Sequence, residues 1–116
     1  MRTSELQGAA LDWAVAKCES DDTLAIYFDG DTGAPLCHDD WESNQEFKPS
    51  TDWSQGGPII ERENIRLQKD DLDVYWWAKH PSNRAWINGP TPLIAAMRCY
   101  VASRLGDEVE LPEELR

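Results

Sequence analysis

The chain has 116 residues, of which 22 are acidic and 11 basic, for a net charge of −11. That length suits one compact core and excludes a multidomain enzyme, and the charge excludes generic binding to nucleic-acid backbones or anionic membrane surfaces. A 41% hydrophobic content with six Trp excludes a disordered acidic tail. The acidity lies at the two ends. Residues 1–58 carry 12 acidic and 3 basic groups, residues 59–106 carry 5 acidic and 7 basic, and residues 107–116 carry 5 acidic groups against Arg116. The middle stretch is therefore mildly positive and keeps a small anionic ligand open as a partner. No apolar run approaches the roughly 20 residues of a membrane helix, and the opening MRTSELQGAA has neither a basic nor an apolar leader region. A soluble, non-secreted protein is expected. Cys18, Cys37 and Cys99 form no paired framework, which suits thiols in a reducing compartment.

Ser4-Glu5-Leu6-Gln7 has the form of a capping box and predicts a helix over 4–18, with Leu6, Ala10, Trp13 and Ala14 as its apolar stripe. Leu24 to Phe28 reads as a strand. Residues 29–50 read as a long loop that Trp41 and Phe47 pin to the body. Thr51 or Asp52 caps a helical segment through Trp53. Gly56-Gly57-Pro58 interrupts it, and a separate short helix follows over Ile59–Glu63 with Asn64 near its end. Leu72–Ala78 and Arg84–Ile87 form a hairpin around His80-Pro81-Ser82-Asn83. Thr91 and Pro92 open the clearest helix, which runs to Leu105 with Ile94, Met97, Val101 and Leu105 as its buried stripe and Gly106 as its C-terminal cap. The expected fold is a single α+β domain over 1–106, a small antiparallel sheet packed with helices in a sandwich-like α/β/α manner, followed by an acidic tail over 107–116.

Three blocks, MRTSELQGAALDWAVAKCE at the start, TDWSQGGPIIERENI at 51–65 and GPTPLIAAMRCYVASRLGDEVELPEEL at 89–115, resemble the NinX-like family, small proteins encoded by tailed phages and prophages. The resemblance implies a compact domain of sheet and helices, a phage origin and an accessory role in the cytoplasm of the bacterial host. It brings no established activity with it, and the acidic segment 29–48 lies outside the matching blocks.

Several stretches carry atoms capable of chemistry. Asp29-Gly30-Asp31-Thr32-Gly33 begins like a calcium loop, but Ala34 stands where Gly is needed and the terminal Glu is missing, so a turn is the better reading. Cys37-His38-Asp39-Asp40 crowds metal-capable groups side by side, where a tetrahedral site needs separated pairs. No metal and no cofactor is expected. A Cys nucleophile with His38 or His80 as base lacks any recognised signature, and Cys99 reads as a buried small hydrophobe. No catalysis is expected.

Binding is better supported. Gly56 and Gly57 would let a ligand approach, with the following helix start as an anion site and Trp53 as a stacking face; alternatively the bend only packs a helix on the sheet with Trp53 in the core. Gly89-Pro90-Thr91-Pro92 poses the same choice at the helix opened by Thr91. Trp76 and Trp77 point to opposite faces of a strand, so one is core and the other is not. The outward one of the two, beside Arg62, Arg66, Arg84 or Arg98, would stack on a base and pair with phosphate, unless a helix covers that face too.

The expected ligand site therefore comprises Trp53, Gly56, Gly57, Arg62, Arg66, Trp77, Thr91 and Arg98. The leading expectation is a non-catalytic, homo-oligomeric module that sequesters a small nucleotide-type host immune signal. The alternative is an acidic inhibitor or DNA mimic that blocks a host defence or DNA-binding protein through charge complementarity.

Overall fold

The computed structural model describes residues 1–20, 26–28, 35–40, 43–72, 74–111 and 115. The chain begins with a single 3-10 turn, Thr3–Glu5, and then enters helix α1, Gly8–Ser20. The expected helix start at Ser4 is thus displaced by four residues. Its cause is tertiary: Thr3 donates its amide to the Asp107 carbonyl at 2.8 Å and its hydroxyl to the Gly106 carbonyl at 2.6 Å. These bonds hold the chain before α1 against the end of the molecule, and Gly8, at φ +57°, supplies the left-handed turn that lets the helix start. Leu6, Leu11, Ala14 and Val15 are fully buried, with Trp13 partly buried beside them.

Strands β1 (Ile26–Phe28), β2 (Pro35–Asp40) and β3 (Ser43–Glu46) form an antiparallel meander. The strand at Ile26–Phe28 was expected, whereas β2 and β3 replace part of the expected loop. Their polar, proline-containing sequences carry little intrinsic strand preference, and pairing of Ile26 with Cys37 and of Cys37 with Gln45 supplies the ladder that composition does not announce. Leu24, Ala25, Trp41 and the calcium-like stretch at 29–34 lie outside the described residues. Phe47 is buried, as the pinning role requires.

Helix α2, Trp53–Glu63, is continuous through Gly56, Gly57 and Pro58, which corrects the expected break. Asp52 caps it by accepting the Ser54 amide at 2.9 Å. The reason for Gly56 lies in packing: a Cβ there would sit 2.5 Å from the Pro49 carbonyl oxygen and 2.7 Å from Leu93 Cδ2. That close approach requires glycine at 56, and the helix continues although Pro58 removes one of its amide donors. Asn64, at φ 56°, ends it: its amide reaches the Glu61 carbonyl at 3.3 Å and the Ile65 amide reaches the Ile60 carbonyl at 3.1 Å, the two bonds of a Schellman cap.

A second antiparallel meander follows, β4 (Arg66–Lys69), β5 (Trp76–Lys79) and β6 (Ile87–Gly89). The hairpin expectation holds for β5 and β6 with shorter strands, and β4 was not anticipated. Helix α3, Pro92–Leu105, lies across this sheet and also packs against α1 and α2. It is buried nearly all round from Leu93 to Ala102, so a single stripe understates it. Leu105, expected in the core, is the last residue of the helix and is 41% exposed. Gly89 faces α3 so closely that a Cβ would meet the Ala95 amide nitrogen at 2.6 Å.

The chain beyond α3 does not leave the body at Gly106. The Val109 amide bonds the Met1 carbonyl at 2.9 Å, the amino terminus returns a bond to the Val109 carbonyl at 3.0 Å, and Val109 and Leu111 are both buried. The apolar residues of the expected tail thus complete the core beside the N-terminal segment. The fold is α+β, with antiparallel sheet packed on helices. Among the described residues no helix covers the second face of β4–β6, and none is long and apolar enough to cross a membrane.

Candidate functional site

Side chains alternate along a strand, so the burial of Ala78 and Gly89 toward α3 decides the direction of their neighbours. Trp76, two residues from Ala78, packs against the core. Trp77 and Lys79 therefore point outward, with Arg66 and Gln68 of β4 and Asn88 of β6 as their paired neighbours. Tyr75 and Trp86 extend the same face and are 41% and 39% exposed. The result is a sheet surface, not covered by any helix among the described residues, that is aromatic at its centre and cationic at one end.

Trp77 is fixed from two sides. Its indole nitrogen donates to Asp70 at 3.3 Å, and the Tyr75 ring meets it edge-on with centroids 6.3 Å apart. Asp70 is itself held by the turn between β4 and β5, its amide bonding the Tyr75 carbonyl at 2.9 Å and its carboxylate accepting the Leu72 amide at 3.2 Å. A ring locked in this way presents a stacking surface without further loss of rotamer freedom. Two shallow depressions lie on this side, one lined by Gln68, Trp77 and Trp86 and the other by Asn64, Arg66, Lys79 and Pro81.

Of the residues expected in a ligand site, the structure brings Arg66 and Trp77 together on this face and disperses the others. Trp53 is 54% exposed in the first turn of α2, which packs on α3. Gly56 serves the close approach to Pro49 and Leu93, and Gly57 adjoins Trp53. Because α2 runs on through Pro58, no helix start exists there to receive an anion. Thr91 caps α3 by accepting the Ile94 amide at 3.1 Å. Arg98 is 7% exposed and donates to the carbonyls of Leu6 at 2.6 Å and Asn88 at 3.0 Å. It ties the N-terminal turn to β6, and burial lowers its pKa.

Arg62 belongs to a polar network joining all three helices. It pairs with Glu19 at 2.5 Å and Glu63 at 3.0 Å and reaches the Tyr100 hydroxyl at 3.2 Å, while that hydroxyl donates to Glu19 at 2.8 Å. Burial and the neighbouring Glu19 raise the Tyr100 pKa, and the Glu19 carboxylate raises that of Arg62. Glu63 also meets His80 Nε2 at 3.0 Å, and its carboxyl pKa is lowered by the hydrogen bonds from His80 and Arg62 against the opposing effect of burial.

On the other side of that ring, Ser82 brings its hydroxyl to Nδ1 at 2.7 Å and its amide at 3.0 Å. With Nδ1 accepting from the Ser82 main chain, the ring proton sits on Nε2 toward Glu63. The imidazole thus closes its own turn and anchors it to α2. Burial pushes the Cys99 thiol up to about 11, so it stays protonated at neutral pH. Side chains of the Cys37–Asp40 stretch lie outside the described residues, and among the described ones no group of three or more His, Cys, Asp or Glu could hold a metal.

Sequence reasoning missed Tyr75, Trp86, Gln68, Lys79 and Asn88. Alternation outward from Trp77 marks residues 75 and 79, but the β4 partners become visible only once the register is known. No curated protein matches the chain. The family described as "Bacteriophage P22, NinX" matches residues 2–104, which is most of the chain and includes every residue of the open sheet face, and the chain therefore belongs to that phage family.

Proposed function

We propose that this phage accessory protein is a non-catalytic binding module that captures a small nucleotide-type molecule on the open face of β4–β6, and that in the host cytoplasm the capture withdraws an immune signal. The observation that carries the reading is the uncovered face itself, with Trp77 held rigid among Tyr75 and Trp86 and with Arg66 and Lys79 at one end. Aromatic rings stack on bases, guanidinium and ammonium groups pair with phosphate, and both occur in the one stretch of the chain whose net charge is positive.

Small-molecule sites normally enclose most of their ligand, which one flat face does not do. A second copy of the chain laid across the face would supply the missing wall, consistent with a homo-oligomer, and exposed Leu72 and Val74 at its margin would be covered in the process.

Titration calorimetry with cyclic nucleotides and ADP-ribose derivatives tests the reading, with indole fluorescence as a second signal. Binding should be detected, and Trp77→Ala should weaken it roughly 5- to 150-fold, the value of one base stacked on an aromatic ring. Absence of heat from every one of these compounds would sink the proposal. Sedimentation equilibrium with and without ligand tests the second copy, and a monomer under both conditions would remove it.

A further inference from the structure

The chemistry of the open face is graded along the strands. Register pairs Arg66 with Lys79, and it places Trp77 between Gln68 on one neighbouring strand and Asn88 on the other. Two rows therefore cross the sheet: a cationic row, and a row in which an indole lies between two carboxamides. They are two residues apart along β4 and β5, about 7 Å. That spacing is comparable to the distance from a nucleotide base to its first phosphate. Each row borders its own depression, and neither Arg66 nor Lys79 pairs with a carboxylate among the described residues.

Past the indole, at the end away from the cations, stands Asp70, whose carboxylate accepts from Trp77 and the Leu72 amide. An anionic group is attracted at one end of the face and repelled at the other, so a ligand stacked on Trp77 can lie in only one direction.

We infer that the ligand presents a nucleoside 5′-monophosphate unit, with its base on Trp77 between Gln68 and Asn88 and its phosphate between Arg66 and Lys79. The inference rests on the reading of this face as a nucleotide surface and adds polarity and size to it. The carboxamides offer both donors and acceptors to the edge of a base. A phosphate chain longer than one unit runs beyond the cation pair and gains little.

The test compares adenosine, AMP and ADP-ribose, together with guanosine and GMP, by indole fluorescence and calorimetry on the intact chain and on two variants. In the native protein AMP or GMP should bind about tenfold or more tighter than its nucleoside, as expected for charge-assisted bonds to a phosphate. In the double variant Arg66→Gln with Lys79→Gln that ratio should fall to near one. Trp77→Ala should weaken nucleoside and nucleotide alike. A ratio that persists in the double variant would overturn the polarity while leaving nucleotide binding in place. Failure of every nucleoside and nucleotide to bind would overturn both. Thermal unfolding of each variant separates lost binding from lost fold, and Gln68→Ala, which should shift the preference between AMP and GMP without changing the phosphate ratio, gives an independent reading of the base row.

Discussion

The two faces of β4–β6 carry the same backbone ladder and differ in what lies against them. Toward α3 the sheet presents Ala78 and Gly89, with Gly89 so close that helix and strand backbones nearly touch, and the large Trp76 on this side is packed against the core. Away from α3 it presents Trp77, Trp86, Lys79 and Arg66, large or charged groups of the kind a close-packed helix does not cover easily. Large aromatic area on the outward face of a small domain is unfavourable unless something occupies it, and this contrast distinguishes the outward aromatics from ordinary core.

The contrast can be broken first on its inner side. Gly89→Ala drives a methyl group into the Ala95 backbone, which cannot yield as a flexible side chain could. Stability should fall by about 3 kcal/mol in denaturant titration. A loss below 1 kcal/mol would mean that the sheet and α3 are not in such close contact. Next in size is Arg98→Met, which leaves the carbonyls of Leu6 and Asn88 without their donor and should cost about 2 kcal/mol by the same measurement. An equal loss of ligand affinity at full folding would restore Arg98 to the site.

A smaller effect is expected where burial acts on a charge away from the sheet. Asp12 is 8% exposed, and burial raises its pKa despite the bond from the Ser50 amide at 2.9 Å. The folded chain then holds the proton more tightly than the unfolded one, so stability declines as pH rises from about the ordinary value of 3.8 through the folded value. Asp12→Asn keeps the acceptor and should be stabilising at pH 7 by less than about 1 kcal/mol. The gain should vanish in acid, where the native carboxyl is protonated too. The smallest change belongs to the outward face: Arg66→Gln with Lys79→Gln should leave stability within about 0.5 kcal/mol of the native value, as for surface positions generally. A larger loss would show these cations to be holding the fold.

How much of this was legible in residue order depends on how local the signal is. Thr91 and Pro92 opening α3, Gly106 closing it and Asn64 ending α2 are all read from a few adjacent residues, and all are found. The capping box at Ser4 is equally local, but Thr3 is drawn into bonds with residues more than a hundred positions away, and that tertiary pull overrides it. Gly56-Gly57-Pro58 has the local form of a break, yet the helix runs through it, and Gly56 is needed there for the close approach of Pro49 and Leu93, which no neighbouring residue announces. Of the expected site, Arg66 and Trp77 share a face because one strand pairs with another. Arg62, Thr91 and Arg98 look identical in sequence to ligand-binding groups but spend their hydrogen bonds on the fold.

The sequence by itself determined the α+β class, the caps of α2 and α3, the alternation that sends Trp76 and Trp77 to opposite sides and the distribution of charge, since each depends on neighbouring residues or on composition. It also carried the strings that place the chain in its phage family. Strand partners, the arginines left available and the face that remains uncovered were decided only by the tertiary structure. Each of those depends on which distant backbone supplies a hydrogen-bond partner and which helix fills the space alongside.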